Sequence, residues 1–101
     1  MRIVAVTSCP TGVAHTYMAA ERLERAAKRL GHTIKVETQG SMGIENELTA
    51  DDIARADVVI LAAGIAVRNP ERFAGRRLVE VAVQDAIKDP ERILATLGSP
   101  Q

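Results

Sequence analysis

The residues best suited to chemistry lie in one stretch near the start of the chain, Thr7-Ser8-Cys9-Pro10-Thr11-Gly12-Val13-Ala14-His15-Thr16. Cys9 is the only cysteine, so it closes no intrachain disulfide. It is either a small core residue or a reactive thiol in a reducing compartment. It stands between an apolar run, Ile3-Val4-Ala5-Val6, and a helical pattern. At such a junction the first N–H groups of the helix and the positive end of its dipole make an anion site. The same field favours thiolate, and cysteines so placed have pKa values lowered to about 3.5–7.5. A thiolate beside a phosphate cradle is a nucleophile already aimed at phosphorus. Pro10 offers no N–H, so the cradle draws on the amides of Thr11, Gly12, Val13, Ala14, His15 and Thr16, with Gly12 allowing close approach or positive φ. The competing reading is a buried cysteine in an ordinary turn.

Other residues divide into candidates and background. His15, in the first turn of the helix, either donates to a phosphate or tunes the thiolate, or points to solvent while only its N–H is used. It is not expected to carry the phosphoryl group itself, because no second histidine or carboxylate lies nearby in sequence to orient it. Gln39-Gly40-Ser41 follows the second strand and reads as a wall of the same mouth. Arg68, Arg72, Arg76 and Arg77 read as solvated surface, and His32 as an exposed turn residue. Met18 reads as an edge residue where a partner docks. Asp89-Pro90 reads as a capping residue before a proline at the first helical position.

The surrounding elements follow from periodicity. Ile3–Val6 and Asp57–Ala63 are apolar on both faces, as central strands of a covered parallel sheet require. Thr33-Ile34-Lys35-Val36-Glu37 alternates, which predicts a strand with one wetter face. Leu78–Val81 is a fourth strand candidate. From Thr16 to Leu30 the positions Thr16, Ala20, Leu23, Ala27 and Leu30 form one helical face, ended by Gly31. Thr49 followed by Asp52 predicts a capping box for a short second helix. A last helix runs from Asp89-Pro90 to about Leu97. The order predicts a Rossmann-like α/β fold: a four-stranded parallel sheet ordered 2-1-3-4 with helices on both faces. The ligand mouth would lie at the carboxyl ends of the strands, where the order reverses.

Composition narrows the function. The 101 residues suit one domain, 1–101, with 47% hydrophobic content and a polar tail at 99–101 that reads as a natural end or the start of a linker. Net charge is +0 and aromatics are 2%, which argues against nucleic-acid binding. The longest apolar stretch, Val58 to Val67, is about half of a bilayer crossing. Met1–Val6 shows no leader pattern, so a cytoplasmic protein with no direct membrane insertion is expected.

Two chemistries fit a phosphate loop built on cysteine. The layout resembles the low-molecular-weight tyrosine phosphatases, whose loop has an arginine after five residues. Here His15 stands at that position, and the guanidinium that would grip phosphate oxygens is missing. That suits a carrier better than a hydrolase. An arsenate-reductase-like enzyme and a non-catalytic anion-binding module are the other readings.

Cys9-Pro10-Thr11-Gly12-Val13-Ala14-His15-Thr16-Tyr17-Met18-Ala19-Ala20-Glu21 resembles the signature of the fructose-type component B (EIIB) of the bacterial sugar phosphotransferase system. Val36–Ser41 with Met42-Gly43, and Glu71-Arg72-Phe73-Ala74-Gly75, resemble further blocks of that family. The resemblance extends from about Ile3 to Leu97. It implies that Cys9 is the phosphocysteine, loaded from a phosphohistidine of component A (EIIA). It also implies that the acceptor is a sugar, fructose by resemblance, bound in the membrane component C (EIIC). No metal or organic cofactor is implied. Gly64, where the family often has an acidic residue, and Arg68-Asn69 depart from its pattern.

Overall fold

The computed structural model describes residues 1–9, 13–40, 43–63 and 67–97. The tail at 99–101 and Gly64 lie outside them. Strand β1 (Arg2–Ser8) is the middle of the sheet. It pairs in parallel with β2 (Thr33–Gly40) on one side and β4 (Val58–Ala63) on the other. β5 (Leu78–Val81) adds in parallel to β4, and β3 (Gly43–Glu45) pairs antiparallel with β2. The sheet order is β3-β2-β1-β4-β5. The expected four-stranded parallel sheet is thus corrected to a mixed sheet of five strands. The reason is local: β2 runs on to Gly40, and Gly43, at φ +103, pairs back onto it. This antiparallel strand covers what would otherwise be an open edge of β2.

Both faces of the sheet are covered. Helices α1 (Val13–Arg29), α3 (Val83–Lys88) and α4 (Pro90–Leu97) pack on one face over Ile3, Ala5, Val36 and Ile60. Helix α2 (Ala50–Arg55) and a 3₁₀ turn, Pro70–Phe73, belong to the other face, with Val4, Val6, Val59 and Phe73 buried together there. The all-apolar reading of β1 and β4 follows directly from this sandwich. α1 buries Ala19, Ala20, Leu23, Ala26 and Ala27, small residues that let the helix lie close to the strands. Leu30, expected on that face, is 43% exposed because α1 has ended. Gly31, at φ +81, closes it: the N–H of Gly31 donates to Lys28 and that of His32 to Ala27, a Schellman arrangement that leaves His32 half-buried.

The predicted capping box is present. Thr49 Oγ1 accepts from the N–H of Asp52 at 3.0 Å, and Asp52 Oδ2 accepts from the N–H of Thr49 at 2.9 Å. Asp52 also takes Lys35 Nζ at 2.7 Å, tying α2 to β2. Lys35 first, and then the Thr49 N–H, hold its carboxyl down at about 2. Helix α3 has no counterpart in the periodicity, since six residues are too few for a helical period to show.

The wetter face expected of β2 is the main surprise. Glu37 is 0% exposed, on the α2 side of the sheet. Arg72 grips both carboxylate oxygens, Nη1 to Oε1 at 2.8 Å and Nη2 to Oε2 at 2.6 Å. The N–H of Leu48 donates to Oε1 at 2.9 Å and Gln39 Nε2 to Oε2 at 2.7 Å. Burial alone would push this carboxyl up. The guanidinium, the Leu48 amide and the Gln39 amide outweigh it, and Glu37 is held below its ordinary value of 4.5. Arg72 is therefore not the solvated residue its sequence context suggested; its guanidinium also lies 4.7 Å from the Phe73 ring centroid.

Replacing Arg72 by Met leaves a buried carboxylate without its cation, which costs about 3–5 kcal/mol at neutral pH. Urea unfolding checks this. Because the folded-state pKa of Glu37 is depressed, its contribution is complete above 4.5 and is lost as pH falls through the folded value. The gap between wild type and Arg72→Met therefore narrows on acidification. A gap that stays constant to low pH would show that the pair is not the source of the effect.

Candidate functional site

Cys9 follows the last residue of β1 and precedes α1, so it lies at the carboxyl edge of the sheet. Continuing the β1–β2 register (Val6 with Glu37, Thr7 with Thr38) brings it beside Gly40, while Ser8 pairs with Ala63 of β4. Cys9 is half-buried and packs against the core on the α1 side.

Thr16 fixes this geometry. Its Oγ1 accepts from the N–H of Cys9 at 3.0 Å, and its carbonyl accepts from the buried hydroxyl of Thr7 at 3.0 Å. Both bonds span the junction, so the first turn of α1 is laced to β1 on either side of Ser8. Thr16 is wholly buried, which explains why a hydroxyl opens the apolar face of the helix. Its side chain and carbonyl position the junction between β1 and α1.

One residue earlier, His15 is exposed, and its Nδ1 lies 3.8 Å from Cys9 Sγ. Ala14 is exposed beside it, and Val13 is the first residue of α1. The N–H groups of a first helical turn have no partner within the helix. Val13-Ala14-His15-Thr16 includes no acidic residue to compete for them. Pro10, Thr11 and Gly12, the rest of the expected cradle, lie outside the described residues, as does Ser41.

The expected wall at Gln39 is placed differently. Gln39 is buried on the α2 side, whereas Cys9 packs on the α1 side. Its amide donates to Glu37, and its Oε1 accepts from the N–H of Arg68 at 2.9 Å. Nε2 also approaches the Arg68 carbonyl at 3.5 Å. Gln39 thus fastens the connection after β4 to β2 and does not face the thiol. Gly40 ends β2 and is half-buried. Tyr17 and Met18 are exposed at 41% and 40%, and the Tyr17 hydroxyl bonds Glu45 of β3, which raises the phenol above its ordinary value.

A groove of about 550 Å³ beside the edge strand β5, floored by Val79, Val81 and Ile93, contains none of these residues. It has no part in the Cys9 site.

The sequence missed Glu37 and Arg72. The available signal was a carboxylate inside a strand whose neighbours demand cover, with an arginine next to the chain's only phenylalanine. These two residues join the second and third blocks quoted above for the family resemblance.

The family profile described as "PTS system, Lactose/Cellobiose specific IIB subunit" matches residues 4–96. The chain belongs to this family. The "PTS system fructose-like EIIB component 2" of Escherichia coli (strain K12) is 57% identical over 96 residues, covering 95% of this chain and 91% of that protein. The "Fructose-like PTS system EIIBC component" of the same organism is 54% identical over 99 residues, covering 96% of this chain and 20% of that protein. Among solved structures, a domain of the fructose-specific IIABC component of Borrelia burgdorferi superposes with a TM-score of 0.89 at 49% identity, covering 97% of this chain and 94% of that one. An arsenate reductase in its phosphate-binding state superposes with a TM-score of 0.57 at 15% identity, covering 97% and 100%, a likeness of fold alone.

This EIIB is of the fructose type, and its role is phosphotransfer in sugar uptake. In that EIIBC relative the matching segment is one part of a longer chain. No helix among the described residues is long and apolar enough to cross a membrane.

Thr16→Val removes the acceptor of the Cys9 N–H while keeping the side chain's shape. It is expected to cost about 1–2 kcal/mol and to slow alkylation of Cys9, with Thr16→Ser restoring both. Urea unfolding and the rate of iodoacetamide labelling check this. Equal labelling rates in wild type and Thr16→Val would show that the hydroxyl does not position the thiol.

Proposed function

We propose that Cys9 is the phosphoryl-carrying nucleophile of this EIIB, and that residues 1–101 act as one unit at the cytoplasmic face of the membrane. The donor is a phosphohistidine of component A. The acceptor is a hydroxyl of a sugar, fructose being the one the resemblance favours, held by component C. The observation that carries this reading is the setting of Cys9. It lies at the carboxyl edge of the sheet, ahead of α1, with its N–H held by Thr16 and the His15 ring at 3.8 Å.

The chemistry is two in-line displacements at phosphorus. In the first, an S–P bond forms as the P–N bond of the donor breaks, and the ring nitrogen leaves with that bond's electron pair. In the second, the sugar oxygen displaces sulfur, which leaves as thiolate, and the hydroxyl proton passes to a base of the acceptor complex. The helix N-terminus offers N–H groups to the dianion carried between the two steps. Pro10, Thr11, Gly12, Val13, Ala14, His15 and Thr16 are the loop proposed to hold it. No metal or organic cofactor is required. Residue His15, standing where a tyrosine phosphatase has its arginine, disfavours hydrolysis as the function.

Incubation with phosphoenolpyruvate, the general transfer proteins and component A is expected to add one phosphoryl group to the intact mass. Cys9→Ala and Cys9→Ser are expected to fold normally and gain none. An adduct of equal yield in Cys9→Ser would overturn the assignment.

A further inference from the structure

We propose that His15 is a second catalytic residue: as an imidazolium it pairs through Nδ1 with the Cys9 thiolate and then with the phosphoryl group that sulfur carries. This rests on the reading that Cys9 is the carrier. It adds a charged partner to the sulfur, which the helix N-terminus alone does not supply.

Three observations lead to it. First, Nδ1 lies 3.8 Å from Sγ, within reach of an N–H···S hydrogen bond. Second, the contact is held from both sides. Thr16, the next residue, binds the N–H of Cys9 and accepts the Thr7 hydroxyl, so the turn carrying His15 is tied to the backbone that carries the thiol. Third, His15 is exposed while Cys9 is half-buried, so the ring stands on the solvent side of the contact. From that side the same N–H can turn to an oxygen of a phosphoryl group on sulfur.

One turn along α1 stand Met18 and Ala19, which carry no charge. From β3, Glu45 is engaged by the Tyr17 hydroxyl. Glu37 and Arg72 neutralise each other on the opposite side of the sheet.

Protons and charge balance through the cycle. The attacking state is thiolate with imidazolium. Sulfur bonds to phosphorus, and the donor ring, protonated on its other nitrogen, departs as neutral imidazole. The phosphocysteine dianion then keeps the His15 imidazolium as its counter-ion. In the second step the S–P bond breaks, sulfur takes the electron pair, and the thiolate–imidazolium pair is restored. His15 holds its proton throughout, so it stabilises the charged sulfur that attacks and the charged sulfur that leaves. Charge-assisted hydrogen bonds of this kind are about twice as strong as neutral ones.

The test is the pH profile of Cys9 alkylation by iodoacetamide in wild type, His15→Gln and His15→Ala, with no phosphoryl donor present. The midpoint of the profile is expected to rise by about one pH unit in both variants, with labelling about tenfold slower below the wild-type midpoint. In transfer from phosphorylated component A, kcat is expected to fall by at least tenfold while KM stays within about twofold, because the lost interaction belongs to the chemical step. Urea midpoints equal to wild type separate this from misfolding. Superimposable alkylation profiles would overturn the role of His15 while leaving Cys9 as carrier untouched. Failure of the carrier reading would appear elsewhere, as a wild-type protein that gains no phosphoryl group.

Discussion

A carboxylate with no exposure to solvent sits two residues from the buried Gln39 near the end of β2, and the shape of the site depends on how its charge is met. Arg72 takes both oxygens, and the Leu48 amide and Gln39 add a donor each. An isolated buried carboxylate is untenable, so Glu37 compels the 3₁₀ turn at Pro70–Phe73 to pack beneath β2. Gln39 then clasps the backbone of Arg68. The connection from β4 to β5 is thereby stapled to β2 across the end of β1, where Cys9 lies. A side-chain network on the opposite side of the sheet from the thiol thus ties the connection after β4 to β2.

On the opposite face, the same economy is reached with neutral groups. Thr16 uses its hydroxyl on Cys9 and its carbonyl on Thr7, so one buried residue sets the angle between β1 and α1. The alanines of α1 bring the helix close enough for these bonds to form. Position and field then come together: the thiol meets the positive end of a long helix and the ring of His15 at once. On the proposed reading, a thiol that accepts a phosphoryl group and releases it soon after needs such support without a grip strong enough to trap the dianion. Histidine meets that need better than the bidentate arginine of a phosphatase loop.

Much of this was legible in the residues. Apolar runs on both faces of Ile3–Val6 and Asp57–Ala63 announced central parallel strands, and Thr49 with Asp52 announced the start of α2. Cys9 stood out because a lone thiol precedes a helix start rich in small and hydroxylated residues. What stayed hidden was hidden for physical reasons. β3 is three residues long and defined by pairing, not by pattern. The alternation of β2 is compatible with a wet face or with a buried ion pair, and only the partner's position decides between them. Gln39 looked like a wall of the mouth because it was read as following the second strand; β2 instead runs on to Gly40, and its pleat turns Gln39 to the α2 side. Arg72 was lost among its neighbours because nothing in its own sequence context tells a guanidinium that reaches solvent from one that reaches a carboxylate thirty-odd residues away.

Which atom bears phosphorus decides the mechanism. Phosphorus NMR of the protein, phosphorylated through component A and kept intact, reads this directly, since S–P and N–P linkages resonate apart. A single resonance of the S–P type, absent in Cys9→Ala, is the expected result. A resonance of the N–P type that persists in Cys9→Ala and disappears in His15→Gln would contradict it, making histidine the carrier and the thiol its neighbour.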